Sequence, residues 1–273
     1  MLMSDTIVFD IETKKSFDEV GGRDNLHLLG VSVVAAYSYN QKKFFAFEES
    51  NLNQFERLIK DAGLLIGFNI NGFDIPVLNP HISLDAFSLP ALDLMDDIKK
   101  GVGFRVSLDN IAKNTLGISK SADGLQALRW YKEGKIDEIK KYCVQDVKVT
   151  KEIYEFGKKN GHILFLSREA RGKVAVPVSW GLNAQKDIPQ ILREAFEKRK
   201  TAEIDYITGN ASNDSSDHRN MRLVDIYRLN NDFLEGYCHL RQAKRIFKIN
   251  RILRAKITDK VYQIREDVQN SLL

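Results

Sequence analysis

Apolar positions along the chain follow two different periods, and the places where the period changes mark its elements. Thr6–Ile11 is a short apolar run of the kind a buried strand gives. Leu26–Tyr39 and Lys42–Glu49 are rich in β-formers and flank a tight polar turn, which predicts a hairpin. Asn51 then stands as a helix N-cap ahead of Phe55, Leu58 and Ile59, spaced to share one helical face. Leu64–Asn69 reads as another buried strand. The predicted order is strand–strand–strand–helix–strand, followed by a mostly helical region. Its clearest helices are Ser107–Leu116 and Gly134–Phe156, the second with Ile136, Ile139, Cys143, Val147 and Tyr154 on or near one face.

Lys173–Trp180 predicts a further strand, Gly181–Lys186 a linker and Ile188–Lys198 a helix. Short strands follow over Ala202–Ile207, Arg222–Leu229, Phe233–Leu240 and Arg245–Asn250. Asn230-Asn231 suits a two-residue hairpin turn, because Asn tolerates positive φ. Gly209–Asp217, rich in Asn, Ser and Asp, reads as a mobile loop. No internal repeat is found, so the pattern predicts two domains, residues 1–182 and 188–273.

Composition adds limits. At 43% hydrophobic and 29% charged residues, the chain has ordinary globular make-up and not that of a disordered one. No apolar run approaches the ~18–20 residues of a membrane span, and the N-terminus lacks a secretory pattern. Cys143 and Cys238 both lie in apolar-periodic stretches and read as buried free thiols, which predicts a reducing, cytoplasmic setting. The five histidines have no metal-ligand spacing, so a structural zinc site is not expected. Net charge is 41 − 37 = +4, unevenly spread. Residues 1–160 carry 21 basic and 23 acidic side chains, residues 161–273 carry 20 and 14, and His239–Lys256 holds seven basic residues and no acidic one. That asymmetry suits a phosphate-rich partner, although a charge run also serves as plain solvated surface.

Three local patterns carry chemistry. In Val8-Phe9-Asp10-Ile11-Glu12-Thr13, strand alternation turns both carboxylates to one sheet face. Two acids on an apolar strand need neutralising, which a hard cation with oxygen ligands does; an ordinary strand end is the alternative. Gly67-Phe68-Asn69-Ile70-Asn71-Gly72-Phe73-Asp74 follows the next buried strand and brings a third carboxylate, unless Asn71 or Asp74 simply caps a helix. Tyr142 and Asp146, four residues apart on a long helix, share a face one turn apart, as a surface pair also would.

Together these patterns resemble the three motifs of DEDD-superfamily 3′–5′ exonucleases, closest to the proofreading domains of family-B DNA polymerases. The resemblance covers about residues 5–180. Asp10 and Glu12 match the first motif, Asn69 and Asp74 the Asn-x-x-x-Phe-Asp form of the second, and Tyr142 and Asp146 the tyrosine form of the third. The histidine form needs His where this chain has Lys141. The resemblance implies an α/β RNase H-like domain with a mixed sheet and helices, and two Mg²⁺ or Mn²⁺ ions about 4 Å apart. It implies that Asp10 bridges both ions, that Glu12 and Asp146 help hold the ion nearer the attacking water, and that Asp74 acts on the other through water. Tyr142 would orient the nucleophile, since a phenol of ordinary pKa, about 10, is a poor general base. Thr13, Asn69 and Phe73 would position the terminal nucleotide. Lys120 is either a phosphate contact or a solvated loop lysine.

The second half resembles a WYL domain, a small SH3/Sm-like β-barrel, through Arg222-Leu-Val-Asp-Ile-Tyr-Arg-Leu229, the strand with Tyr237 and Leu240, and Arg245-Ile-Phe-Lys-Ile-Asn-Arg-Ile252. The Trp-Tyr-Leu tripeptide is absent, and Ile226 stands where the family often has Pro. Alternation gathers Phe233, Glu235, Tyr237, His239 and, if the strand continues, Arg241 on one face, suited to stacking a base and gripping phosphate. Tyr237, His239, Arg241, Arg245 and Arg251 are the candidate contacts, for single-stranded DNA or RNA or for a nucleotide ligand. A structural role for Tyr237, with solvated arginines, is the alternative. The expected function is a metal-dependent 3′–5′ exonuclease acting on single strands. Its rivals are a non-catalytic nucleic-acid-binding regulator and a structure-specific endonuclease.

Overall fold

A computed structural model describes residues 4–118, 124–167, 172–180, 188–208 and 219–264. The chain divides into two compact units, residues 1–155 and 156–273. None of its described helices is long and apolar enough to cross a membrane.

The first unit is built on a five-stranded mixed sheet. It comprises β1 (Asp5–Thr13), β2 (Val31–Ser38), β3 (Lys43–Glu48), α1 (Leu52–Ile59), β4 (Ala62–Gly67), α2 (Ile75–Leu78), β5 (Ala91–Asp93), α3 (Leu94–Val102), α4 (Leu108–Leu116), α5 (Gly124–Lys132) and α6 (Ile136–Asn160). The strand order is β3-β2-β1-β4-β5. β1 pairs antiparallel with β2 and parallel with β4, and β4 pairs parallel with β5. β1 and β2 are nearly continuous apolar runs, as central strands covered on both faces must be. α1 buries Leu52, Phe55 and Ile59, and Phe55 lies 5.8 Å from the ring of Phe9 and 5.7 Å from that of Phe47. Each such buried side chain contributes about 1.5–3 kcal/mol.

The strand–strand–strand–helix–strand order is observed, with two differences. Residues from Leu26 to Leu28 lie in a 3-10 helix, Arg23–Leu28, rather than in a strand. Gly30, at φ 66°, reverses the chain before β2, and Lys14 and Lys15 donate to the carbonyls of Gly30 and Leu29. Asn51 does stand at the N-cap of α1, but its side chain makes no capping bond.

The second unit takes in the end of α6, a hairpin of β6 (His162–Ser167) and β7 (Gly172–Pro177), α7 (Ile188–Glu197), and five strands. These are β8 (Lys200–Ile207), β9 (Arg219–Leu229), β10 (Phe233–Cys238), β11 (Ala243–Lys248) and β12 (Ile252–Val261). They form one antiparallel sheet, β11-β10-β9-β8-β12, whose inner face packs with Leu192 and Ala195 of α7. Tyr206 of β8 meets the ring of Phe247 on β11 at 5.0 Å, and its hydroxyl accepts the Lys248 N–H, so the sheet curls strongly.

Four sequence expectations are corrected or fall outside the described residues. β10 ends at Cys238, so Leu240 and Arg241 belong to the turn. The Asn230 turn has no positive φ; instead the Asn230 side chain accepts the N–H groups of Asp232 and Phe233, an Asx turn. The segments 181–187 and 209–218, holding the expected linker and mobile loop, lie outside the described residues.

Candidate active site

β4 ends at Gly67, where only glycine fits, because a Cβ there would sit 2.9 Å from the Phe9 carbonyl and 2.1 Å from Ile70. β1 runs on past that end, carrying Asp10 and Glu12 beyond the last parallel pair, Val8 with Ile66. The chain turns at Asn69, which takes φ 71°, and winds through a π-helical turn, Ile70–Asp74. This brings Asp74 beside β1, where its Oδ1 accepts the Ile11 N–H at 3.1 Å. The carboxylate thereby takes over the edge of β1 that β4 has left.

From the helical side, α6 presents Tyr142, Cys143 and Asp146, all buried. Ligand oxygens of Asp10, Glu12 and Asp146 lie within 4.8 Å of one another. Asp10 and Glu12 are half-buried and Asp146 is 5% exposed, so the cluster opens to solvent on one side. Three carboxylates this close repel each other, and an all-oxygen donor set of this kind suits a hard divalent cation. Asp74 stands outside this triplet. Burial pushes its carboxyl up to about 7, the Asp93 charge adding to the rise and the Ile11 N–H opposing it.

All four acids and Tyr142 line one cleft of about 400 Å³, together with Thr13, Asn69 and Phe73. Phe17, Leu125 and Leu128 supply apolar walls and Lys15 a cation. Phe73 packs edge-on against Phe17 at 5.9 Å, and Trp130 meets Tyr142 at 6.1 Å. The cleft thus joins an acidic floor to aromatic and aliphatic walls, a combination suited to a metal-bridged phosphate with a stacked base. Lys120 lies outside the described residues.

Two residues of this site escape sequence reasoning. Asp93 is 4% exposed and gathers four backbone N–H groups. Its Oδ1 accepts from Asn69 at 2.8 Å, Met95 at 3.0 Å and Asp96 at 3.3 Å, and its Oδ2 accepts from Asn71 at 2.9 Å. It caps α3 and clamps the loop that carries Asn69 and Asp74; burial raises its carboxyl pKa. The alternative role of Asn71 or Asp74 as a helix cap is not what the structure shows, since Asp74 enters α2 without a side-chain capping bond and Asp93 caps α3. Cys143 is the second. Its thiol lies 3.3 Å from the Asp10 carbonyl and 3.6 Å from Asp10 Oδ2, and burial, with the nearby Asp10 and Glu12, pushes its pKa up. An Asp-x-x-Asp run at 93–96 opening an amphipathic helix is the available signal for the first; nothing local marks the second.

In the second unit, Tyr237 and His239 are ring neighbours at 5.3 Å, and His239 Nε2 lies 3.0 Å from Asp225 Oδ1. Arg241 is exposed in the β10–β11 turn, and Arg251 is half-buried in the 3-10 turn Ile249–Arg251. Arg245 pairs with Gly236 and Lys244 with Tyr237, so Arg245 and Tyr237 lie on opposite sheet faces. The candidates are therefore not one platform.

Residues 7–156, more than half of the chain, match the family model of the RNase H superfamily, and residues 187–257 match that of the WYL domain. No curated protein sequence matches the chain. Among solved structures it is similar to the family B DNA polymerase of the hyperthermophilic archaeon Pyrobaculum calidifontis, with 20% identity and a TM-score of 0.44 over 57% of this chain and 24% of that one. It is also similar to the zinc-bound ExoI–ssDNA complex of E. coli, with 11% identity and a TM-score of 0.37 over 86% and 54%. Proteasome accessory factor B/C of Arthrobacter aurescens follows at 19% and 0.22, over 57% and 21%. The chain thus spans about a quarter of the polymerase and about half of the exonuclease. With the mixed sheet β3-β2-β1-β4-β5 and both family matches in hand, the chain belongs to the RNase H superfamily and carries a WYL domain after it.

Proposed function

We propose that this protein is a metal-dependent nuclease of the DEDD tyrosine subclass, which removes nucleotides from the 3′ end of single-stranded DNA or RNA. The observation that carries this reading is the triplet Asp10, Glu12 and Asp146, whose oxygens lie within 4.8 Å in the cleft that Asp74 and Tyr142 also line. Asp10, Glu12 and Asp146 hold the divalent ions, Mg²⁺ or Mn²⁺, and Asp74 contributes from the second motif. Bound ions supply water activation and charge stabilisation at the departing oxygen. Tyr142, packed on Trp130, orients the attacking water through its hydroxyl. Thr13, Asn69 and Phe73 seat the terminal nucleotide, and the apolar walls exclude water around it.

In this reading the curled sheet β11-β10-β9-β8-β12 belongs to an SH3-like barrel, its edge strands β11 and β12 being consecutive and joined by a single 3-10 turn. Residues 1–182 and 188–273 act as catalytic and strand-binding modules. Tyr237, His239, Arg241, Arg245 and Arg251 serve the second role, from more than one face. The test is a pair of single strands, labelled at the 3′ or the 5′ end, incubated with Mn²⁺ and then with excess EDTA. Immediate release of the 3′ label as a mononucleotide, abolished by EDTA, is expected. In parallel arms, cleavage of a circular strand, or no cleavage of the linear strands with Mn²⁺ or with Mg²⁺, would remove the reading.

A further inference from the structure

Arg23 stands on the segment that leaves β1 to form one wall of the carboxylate cleft. It is exposed, and like Lys15 it makes no ion pair among the described residues, whereas Lys14 is committed to Glu49 and Lys132 to Glu19. The segment is built to hold it in place. Phe17 lines the cleft, with its ring edge-on to Phe73 at 5.9 Å and packed against the core. The 3-10 turn Asp18–Val20 follows. It is opened by a reciprocal cap, in which the Ser16 N–H donates to Glu19 Oε2 at 2.8 Å and the Glu19 N–H to Ser16 Oγ at 3.3 Å. Val20 anchors the turn in the core. Gly22 then takes φ 118°, which a side chain would strain, and its N–H donates back to the Phe17 carbonyl at 2.8 Å. The next residue is thereby set over Phe17, and the Arg23 guanidinium carbon lies 4.7 Å from the ring centroid.

A guanidinium stacked on a ring uses its flat face and keeps the N–H donors along its edge free. Those of Arg23 have no acceptor among the described residues. A planar fork of this kind is matched best by a carboxylate or a phosphate, through two parallel bonds. Asp18 and Asp24 are exposed on the same segment and balance the charges of Lys15 and Arg23, so the segment recognises by contact and not by a long-range field. Lys15 lines the cleft itself, whereas Arg23 lies one ring further out, stacked on a residue of the wall.

We propose that Arg23 grips a backbone phosphate of the strand upstream of the terminal nucleotide, so that the site prefers a strand that continues past Phe17 to a bare dinucleotide. The inference rests on the nuclease reading above. Arg23 binds substrate in it and touches neither the metal nor the reacting atoms.

The test uses the full chain in Mn²⁺ and two substrates with the same 3′ residue: a dinucleoside monophosphate, whose single phosphate is the scissile one, and a tetranucleotide. Wild type should favour the tetranucleotide. Arg23→Gln is expected to lower kcat/KM on the tetranucleotide about ten-fold, through KM, and to leave the dinucleotide within about two-fold of wild type. Arg23→Lys, which keeps the charge without the fork, should fall between. Should the dinucleotide be cut too slowly to time, the tetranucleotide decides alone: a loss carried by KM supports the contact, and one carried by kcat overturns it. An equal loss on both substrates would mean that Arg23 acts on the shape of the cleft, and no loss on either would mean that it binds nothing. Each of these overturns the proposal while the nuclease reading stands. No cleavage of either substrate by folded wild type would remove that reading and the proposal with it.

Discussion

Replacing Asp93 tests how the second motif is held, because its four hydrogen bonds divide unequally between its two oxygens. Oδ1 takes the N–H groups of Asn69, Met95 and Asp96, while Oδ2 takes only that of Asn71. Asn at this position keeps an oxygen where Oδ1 lies and sets an amide against the Asn71 N–H. Asn71 is exposed, so water replaces that bond, and Asp93→Asn should cost about 1 kcal/mol. Asp93→Ala removes the α3 cap, worth about 1–2 kcal/mol, and leaves the Asn69 and Asn71 donors without an acceptor at about 1–3 kcal/mol for the less exposed one. The sum is about 2–5 kcal/mol. Urea unfolding, followed by Trp130 fluorescence in a Trp180→Phe background, reads the first unit. The midpoint should fall by about 1–2 M for the Ala variant and about 0.5 M for Asn. Cleavage at low urea should follow the same order, since Asn69 and Asp74 sit on the released loop. Equal losses for the two variants, or a loss below about 0.5 kcal/mol for Ala, would refute the clamp.

Tyr142→Phe keeps the ring packed on Trp130 and removes only the hydroxyl, so turnover should fall about 10–100-fold with binding of a 3′ end nearly unchanged; single-turnover kinetics beside a binding titration check this. Asp74 gives a pH dependence. Its folded pKa, about 7, lies above the ordinary value of 3.8, so the stability tied to its protonated form is full below about pH 4 and is lost as pH rises through about 7. Each unit of that difference is worth about 1.4 kcal/mol, and in EDTA the slope should be shallower in Asp74→Asn, with the part due to buried Asp93 remaining. Arg241→Ala with Arg245→Ala should weaken binding of a long single strand by about 1–3 kcal/mol and flatten its salt dependence, whereas Tyr237→Ala should leave the salt slope unaltered. Titrations at several salt concentrations decide that pair.

What the sequence reveals of this molecule is what a single element's periodicity carries. Period-two alternation is enough to set Asp10 and Glu12 on one side of β1, and the four-residue interval sets Tyr142 and Asp146 on one side of α6. The convergence of those two faces, which brings the three carboxylates within 4.8 Å, is tertiary and becomes visible only with the fold. Asp93 is hidden because β5 is three residues long, too short to show a period, and its partners are 22 and 24 residues away. Cys143 follows the apolar stripe of α6, so its burial is legible, whereas its contact with Asp10 spans 133 residues and is not. β12 escapes because it is an edge strand with Arg254, Lys256 and Lys260 among mostly exposed positions, which blurs the alternation. Arg245 and Tyr237 lie on opposite faces through pairing across the β10–β11 turn, which the periodicity of neither strand alone reveals.

The central claim, that Asp10, Glu12 and Asp146 together hold the catalytic metal, meets its most direct test in Mn²⁺ titrations of wild type, Asp10→Ala and Asp146→Ala. Bound Mn²⁺ is counted by its electron paramagnetic resonance signal, and release of a 3′ label is timed in the same samples. The account predicts lost or greatly weakened Mn²⁺ binding in both variants, with cleavage slowed on the order of 10³-fold or more, about 4 kcal/mol of barrier, and unchanged circular dichroism. Wild-type Mn²⁺ binding and cleavage within ten-fold of wild type in either folded variant would contradict it.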